Sequence, residues 1–351
     1  MFAYVGCYTS QERHGRGAGI RVFHIDTASA TWTHVQLFTD LVNPSFLAFD
    51  RGKRFLYSVH GDTSDATAFA IDQPTGQLTL LNRQSTGGRN PIHLAVDPSS
   101  RFLIVANYGT GTLAALPINS DGSLAPLSDL ATLPGDPGPH RQEQDRSHPH
   151  HVPFDPLGRF IVVPDLGLDK IFIYRLDTTT GKLVMNDPSW VTARAGAGPR
   201  HVDFHPSKPY AYVINELDST IAAYHFASDR GRFTPLQLVR TLPANFTGKS
   251  TAAEIAVAPA GRYVYGSNRG HDSIAVFAID QGTGLLTPVG WELTRGRSPR
   301  CFGLDRTGSF LYAANQDSDT IVTFRVDQAT GQLTPTGQIV NTGSPSSITF
   351  R

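Results

Sequence analysis

Apolar and polar residues alternate along this chain with a period of two, in short runs that recur at a longer spacing. The clearest copy, from Gly198 to Thr220, reads GPRHVDFHPSKPYAYVINELDST. It is a turn ending in Pro199, a strand of alternating apolar residues, a turn built on His205 and Pro206, and a second strand ending in Asn215. Equivalent strand openers fall at Pro44, Pro91, Pro149, Pro199, Ala252, Pro299 and Pro345, spaced by 46 to 58 residues. Three and five residues after each opener stands an apolar pair, from Leu47 and Phe49 in the first copy to Ile348 and Phe350 in the last. Successive strand side chains point to opposite faces, so this alternation predicts half-buried strands. Second strands follow as FLYSVH from Phe55, FLIVAN from Phe102, FIVVPD from Phe160, YAYVIN from Tyr210, YVYGSN from Tyr263 and FLYAAN from Phe310. Third strands such as ATAFAID and KIFIYRLD run into TGQL or TGKL, a hairpin signal with Gly where positive φ is needed.

A repeat of this length with several short strands per unit predicts an all-β, seven-bladed β-propeller. Seven openers are followed by only six second strands. The missing one is FAYVGC from Phe2, while the chain ends on the first strand SPSSITFR. The pattern therefore predicts a last blade closed by both ends of the chain and one domain over residues 1–351, which removes two exposed sheet edges. Two connections are long, PGDPGPHRQEQDRS from Pro134 and LPANFTGKSTA from Leu242. Long polar loops on a rigid β scaffold are either lids over a site or excursions.

Composition changes this picture little. Thirty basic and thirty acidic residues give a formal net charge of zero, which leaves no global field to draw nucleic acid or an anionic membrane. No apolar run approaches the roughly 18 residues of a spanning helix, and Met1 leads straight into a strand pattern. With only Cys7 and Cys301 present, reduced thiols in a cytoplasmic monomer are the expectation.

Candidate chemistry follows from topology. The first two strands of a blade are antiparallel, so the start of one and the end of the next face the same mouth of the ring. Strand starts bring His150 and His151, Arg200 and His201, Glu254 and Arg300 there; second-strand ends bring Asp165, Glu216, Arg269 and the nearby His271. A propeller mouth is concave, so these groups converge on a pocket. Asn107, Asn215, Asn268 and Asn315 read instead as turn caps, and His205 as a turn residue in place of the Asp of other copies. His148, His150 and His151 suggest a metal, but neighbours on a strand point to opposite faces and at most two would meet one ion. By the same alternation, His201 and Glu254 are expected to point between blades as orienting groups.

The segments SHPHHVPFDPLGRFIVVPDLG, GAGPRHVDFHPSKPYAYVINELDST, AEIAVAPAGRYVYGSNRGHDSIAVF and SPRCFGLDRTGSFLYAANQDSDTI resemble the seven-bladed lactonase family. That family includes bacterial propeller-type 6-phosphogluconolactonases and fungal 3-carboxy-cis,cis-muconate cyclases. The resemblance covers essentially the whole chain. It implies a catalytic set of His150, Arg200, Glu216 and Arg269, with no cofactor and no metal. Cys301 after Arg300 departs from the pattern expected, and His151 beside His150 offers a second histidine.

Lactone hydrolysis needs an activated water, donors or positive charge where the oxyanion develops, and an acid for the departing ring oxygen. Glu216 and His150 would share the acid and base roles. Arg200 and Arg269 would hold the oxyanion and an anionic substituent of the substrate, a task suited to guanidinium forks. His151, His201, Asp165, Glu254, His271 and Arg300 would line the substrate site. Replacing Arg200 or Glu216 by Ala is then expected to abolish activity with the fold retained. The expected partner is a small anionic lactone or polycarboxylate. Alternatives are an intramolecular cyclase, a non-catalytic binding propeller and a metal-dependent lactonase; the last would require carboxylates to converge where arginines stand.

Overall fold

In the computed structural model, which describes residues 1–26 and 28–351, the strands form seven sheets in sequence around a ring. Six have four antiparallel strands and one has three. The blade closing the ring pairs Phe2–Cys7 with Pro345–Phe350 on one side and Ile20–Ile25 on the other, with Trp32–Phe38 outermost. Both ends of the chain thus share one sheet, with Tyr4 opposite Thr349 and Val5 opposite Ile348.

The second strands, Phe55–His60, Phe102–Asn107, Tyr210–Asn215 and Phe310–Asn315 among them, fall where the pattern sets them. They are almost wholly buried because each faces a neighbouring blade on both sides. Packing is between sheets: Tyr212 and Ile214 of the fourth blade share a cluster with Ile255, Val264 and Phe277 of the fifth. Tyrosines lock this packing. The Tyr57, Tyr212 and Tyr265 hydroxyls each donate at 3.0 Å to a turn-glycine carbonyl of the following blade, Gly122, Gly284 and Gly331. Gly284 and Gly331 both have φ +74°, and a Cβ at either would meet the tyrosine ring at 2.4 Å from Tyr210 or Tyr263. The TGQL-type turn therefore needs glycine for both backbone and packing.

The third blade departs from expectation. Pro149 to Phe154, predicted as a first strand, lies beside Ile161–Asp165 but joins it only through isolated bridges at Pro149–Asp165 and Phe154–Ile161. The His150 amide donates to the Pro164 carbonyl and the Val162 amide to Pro153. Pro153 and Pro164 have no N–H, so the reciprocal ladder bonds cannot form.

Turn chemistry follows the sequence. Asp97 Oδ1 accepts the amides of Arg101 and Phe102 at 2.6 and 2.7 Å, closing the turn between first and second strands. His205 does similar work through Nδ1, accepting from Ser207 and Lys208. Asn107 and Asn268 tie each blade to the one before, through Thr86 and Thr241 respectively.

Candidate active site

The mouth is shaped by one irregularity repeated around the ring. In the first strands the pairing register slips at the opener, between Pro44 and Phe46, Pro91 and His93, Pro199 and His201, and Pro299 and Cys301, with a wider slip between Ala252 and Ile255. Each slip is a β-bulge, which leaves an extra residue unpaired and re-aims the strand. In two blades a pair of consecutive side chains then reaches the axis: Ser45 with Phe46 and Arg200 with His201 line one space. Simple alternation would place His201 and Glu254 between blades. The bulge instead turns both inward.

The result is a two-level cavity. The upper pocket has a volume of ≈ 240 Å³ and is lined by Tyr8, Arg13, Tyr108, Glu143, His150, Glu216, Arg269 and Arg300, with Asn90 and Ile92. Beneath it, a void with ≈ 10 Å³ open to the centre of a water-sized sphere touches His150, Arg200, His201, Glu254, Arg300, Ser45 and Ser346. His150 and Arg300 border both levels.

Glu216 is the electrostatic centre of the upper level. Its Oε2 lies 2.9 Å from Arg200 Nε and its Oε1 2.8 Å from Arg269 Nη2. Burial alone would raise its pKa, but the charges of Arg269, Arg200 and Arg300 outweigh that and hold it at about 2. Arg200 is buried, and burial together with Arg300 brings it down to about 10, which leaves it charged at neutral pH. Its Nη1 donates to the Ala253 carbonyl at 2.5 Å, as Arg269 Nη2 does to Ala252 at 3.1 Å. Arg13 is engaged by Asp62 at 2.7 and 2.5 Å. Arg300, half-buried against the Tyr8 ring at 5.4 Å, makes no hydrogen bond or ion pair to the described residues. It is the pocket's uncommitted cation.

Four histidines pack on the axis. His151 stacks on His201 at 4.2 Å, His93 meets His151 edge-on at 4.0 Å, and His150 lies 5.1 Å from His201. Burial first, then neighbouring positive groups, pushes all four well below the ordinary histidine pKa, so they are neutral. His150 Nδ1 is buried with no protein partner. His201 Nδ1 lies 2.7 Å from Glu254 Oε1. Burial raises the Glu254 carboxyl, with Arg200 and His151 opposing. Stacked imidazoles turn faces rather than nitrogens toward one another, and among the described residues no group of three or more His, Cys, Asp and Glu is arranged to hold a metal.

Of the candidates named from sequence, His150, Glu216, Arg269 and Arg300 border the upper pocket, while Arg200, His201 and Glu254 lie one level down. His151 lies behind them, half-buried, and accepts the Val202 amide. Asp165 borders neither level. It is closed off from solvent and caps a loop, accepting from Ser147 Oγ and from the His148 and Leu168 amides. His271 also lies outside, bonded to Ser273 and packed on Phe246.

Tyr8, Tyr108, Arg13, Asn90 and Glu143 were missed as site residues. Tyr8 and Tyr108 directly follow second-strand ends at Cys7 and Asn107, the register that Glu216 and Arg269 occupy after Asn215 and Asn268. That offset was a usable signal. Glu143 comes from the long loop after Pro134, which Gln144 pins by donating to the Leu166 carbonyl and accepting the His140 amide. The loop therefore forms a wall of the pocket.

A seven-bladed propeller with an arginine-clamped carboxylate and buried histidines at one mouth defines the class. The chain belongs to the seven-bladed β-propeller lactonase family: the family model described as "Lactonase, 7-bladed beta-propeller" matches residues 2–350. A 6-phosphogluconolactonase of Bacillus subtilis is 37% identical over 87% of this chain and 85% of that relative. A 6-phosphogluconolactonase of Formosa agariphila is 33% identical over 87% and 86%. The solved structure of a periplasmic gluconolactonase from Pseudomonas aeruginosa superposes with a TM-score of 0.91 at 32% identity, covering 99% of this chain and 98% of that one.

Proposed function

We propose that the chain is a lactone hydrolase whose substrate is an anionic sugar-acid δ-lactone of the 6-phosphogluconolactone type. The observation that carries this substrate class is the charge pattern of the pocket. Arg200 and Arg269 share the single carboxylate of Glu216, which leaves that clamp one net positive charge, Arg13 pairs with Asp62, and Arg300 beside His150 has no acid partner. A phosphate or carboxylate docked there gains charge-assisted bonds that a neutral sugar lactone lacks.

In this reading Arg269 faces the lactone carbonyl and stabilises the negative charge that water attack builds on its oxygen. Arg200, below the pocket, acts through Glu216, which it holds in place for Arg269. With a pKa of about 2, Glu216 stays a carboxylate at working pH. It is a clamp for two guanidiniums rather than a proton donor. Neutral His150, bordering both levels, passes a proton to the departing ring oxygen. The relatives named 6-phosphogluconolactonase support the substrate class.

The test is proton release in a pH-stat from freshly made 6-phosphoglucono-δ-lactone and from glucono-δ-lactone, with spontaneous hydrolysis subtracted. Faster turnover of the phosphorylated lactone, unchanged by EDTA, is expected. No rate above background with either, but turnover of an unsaturated polycarboxylate without water uptake, would replace this reading with the cyclase. The free thiols of Cys7 and Cys301 support a reducing, cytoplasmic setting, which cell fractionation would check, and size-exclusion chromatography would check the monomer.

A further inference from the structure

Three imidazoles stand at the same position of successive blades, His93, His151 and His201, each two residues after its opener. The first two are fixed alike. His93 Nδ1 accepts the Val152 amide of the next blade at 3.3 Å, and His151 Nδ1 accepts the Val202 amide of the next at 3.2 Å. A nitrogen that accepts carries no proton, so both rings hold theirs on Nε2. By the same repeat His201 Nδ1 would accept the Ile255 amide. Glu254 Oε1 takes that amide instead, at 3.1 Å, and stands 2.7 Å from His201 Nδ1. A carboxylate only accepts, so the His201 proton must sit on Nδ1. Its Nε2 is left with a free lone pair. One carboxylate thus inverts the tautomer of one ring in three.

That ring borders the void beneath the pocket, where two more polar atoms lack protein partners: His150 Nδ1 and Ser45 Oγ are buried and unsatisfied. Buried polar atoms in native proteins are nearly always satisfied, by protein or by ordered water. A polar void of this size holds one water with two to four partners.

We propose that His201, oriented by Glu254, is the general base of the reaction and takes a proton from a water held in this void next to His150. The proposal rests on the lactone-hydrolase reading and deepens it. Water enters the lactone carbonyl carbon as one of its O–H bonds breaks, and that proton goes to His201 Nε2 while the carbonyl π pair moves to oxygen. Glu254 stabilises the imidazolium through Nδ1–H, the role a buried carboxylate plays beside a catalytic imidazole. Collapse re-forms the carbonyl and breaks the ring C–O bond. His150 gives its Nε2 proton to the ring oxygen and recovers one from His201 through Nδ1. One water is consumed and a hydroxy acid leaves; His201 is back in its starting tautomer, and His150, now protonated on Nδ1, resets to the Nε2–H form by exchanging protons with solvent water in the pocket. Glu216 is freed from the base role, consistent with its two guanidinium partners. The charged and titratable groups around His201 are Glu254, His93, His150, His151, Arg200 and Arg300, with Glu216 and Arg269 beyond Arg200.

The first experiment needs no turnover. In the full chain with ¹⁵N-labelled histidine, His201 is expected to show protonated Nδ1 and bare Nε2, with the reverse for His93 and His151; a proton on His201 Nε2 overturns the proposal. The second compares steady-state hydrolysis of 6-phosphoglucono-δ-lactone. His201→Gln is expected to lower kcat by ~100-fold to 10,000-fold with KM nearly unchanged. Glu254→Gln keeps an acceptor on Nδ1 but loses the charge, so kcat falls less and the acid limb of the kcat/KM profile moves to lower pH. A purely structural role would not move that limb. A parent chain that turns over while both variants keep kcat within a few-fold overturns the base assignment; a parent chain that hydrolyses no lactone overturns the reading beneath it.

Discussion

Arg200 Nε stands 2.9 Å from Glu216 Oε2, with the two side chains 3% and 17% exposed. Removing the acid leaves a buried guanidinium with only the Ala253 carbonyl as a strong partner, and breaking such a pair costs about 3–5 kcal/mol. Glu216→Ala is therefore expected to lower the urea midpoint as well as activity, where the sequence alone suggested a retained fold. Chemical unfolding followed by tryptophan fluorescence checks this; an unchanged midpoint would show that the clamp is not stabilising.

Arg300→Ala should separate binding from chemistry. A lost charge-assisted hydrogen bond is worth roughly 1.5–3 kcal/mol, so KM for the phosphorylated lactone should rise by about 10-fold to 150-fold. Glucono-δ-lactone, which offers no anion to Arg300, should show little change in KM. Equal losses on both substrates would move Arg300 from anion binding to the oxyanion.

Acid should unfold this protein through its histidines. His60, held by the Val42 carbonyl and Thr67, is brought by burial to about 4, and the four axial histidines also lie well below 6.5. A histidine with a depressed folded pKa binds its proton more readily when unfolded. Its stabilising contribution is full above the unfolded value near 6.5 and is lost as pH falls toward the folded value. Unfolding free energy should be flat at neutral pH and drop below about 6.5, by roughly 1.4 kcal/mol per pH unit for each such group. His60→Asn should remove one proton's worth of that slope between about pH 6 and 4. Denaturant titrations at half-unit steps would show it, and an unchanged slope would mean His60 is charged in the fold.

Tyr265→Phe tests the clasp between the fifth and sixth blades. The hydroxyl is buried and donates to Gly331 at 3.0 Å, and its removal strands a carbonyl at a cost of about 1–3 kcal/mol. A lower melting temperature with unaltered kcat is expected. A changed kcat at constant stability would tie the clasp to the mouth instead.

The ring, its closure through Phe2 and Pro345, and the mouth at which the ionisable groups gather were legible in the sequence. Each rests on a local rule applied seven times: alternation for strands, Pro and Gly for turns, a missing strand supplied by the other terminus. His150 and Arg300 stood out because ionisable groups replaced the Ser, Ile or Ala of other copies, and Glu216 and Arg269 because they replaced the Gly, Leu, Gln or Tyr that follows other second strands; all four meet at the pocket. Asp165 carried the same signal, yet it caps a loop because Ser147 and two amides consume its oxygens. Nothing in its sequence position distinguishes an acid facing a cavity from one spent on the backbone.

What the sequence by itself determined is whatever depends on neighbours along the chain: strand periods, turn types, blade number and the candidate acids and bases. The tertiary structure alone decided what depends on register between strands and contact between blades. The bulge after each opener is invisible to an alternation count, because one unpaired residue changes which face every following side chain takes. It turned His201 and Glu254 to the axis, and only there, 53 residues apart and one blade across, could a carboxylate take the amide that would have fixed the imidazole the other way.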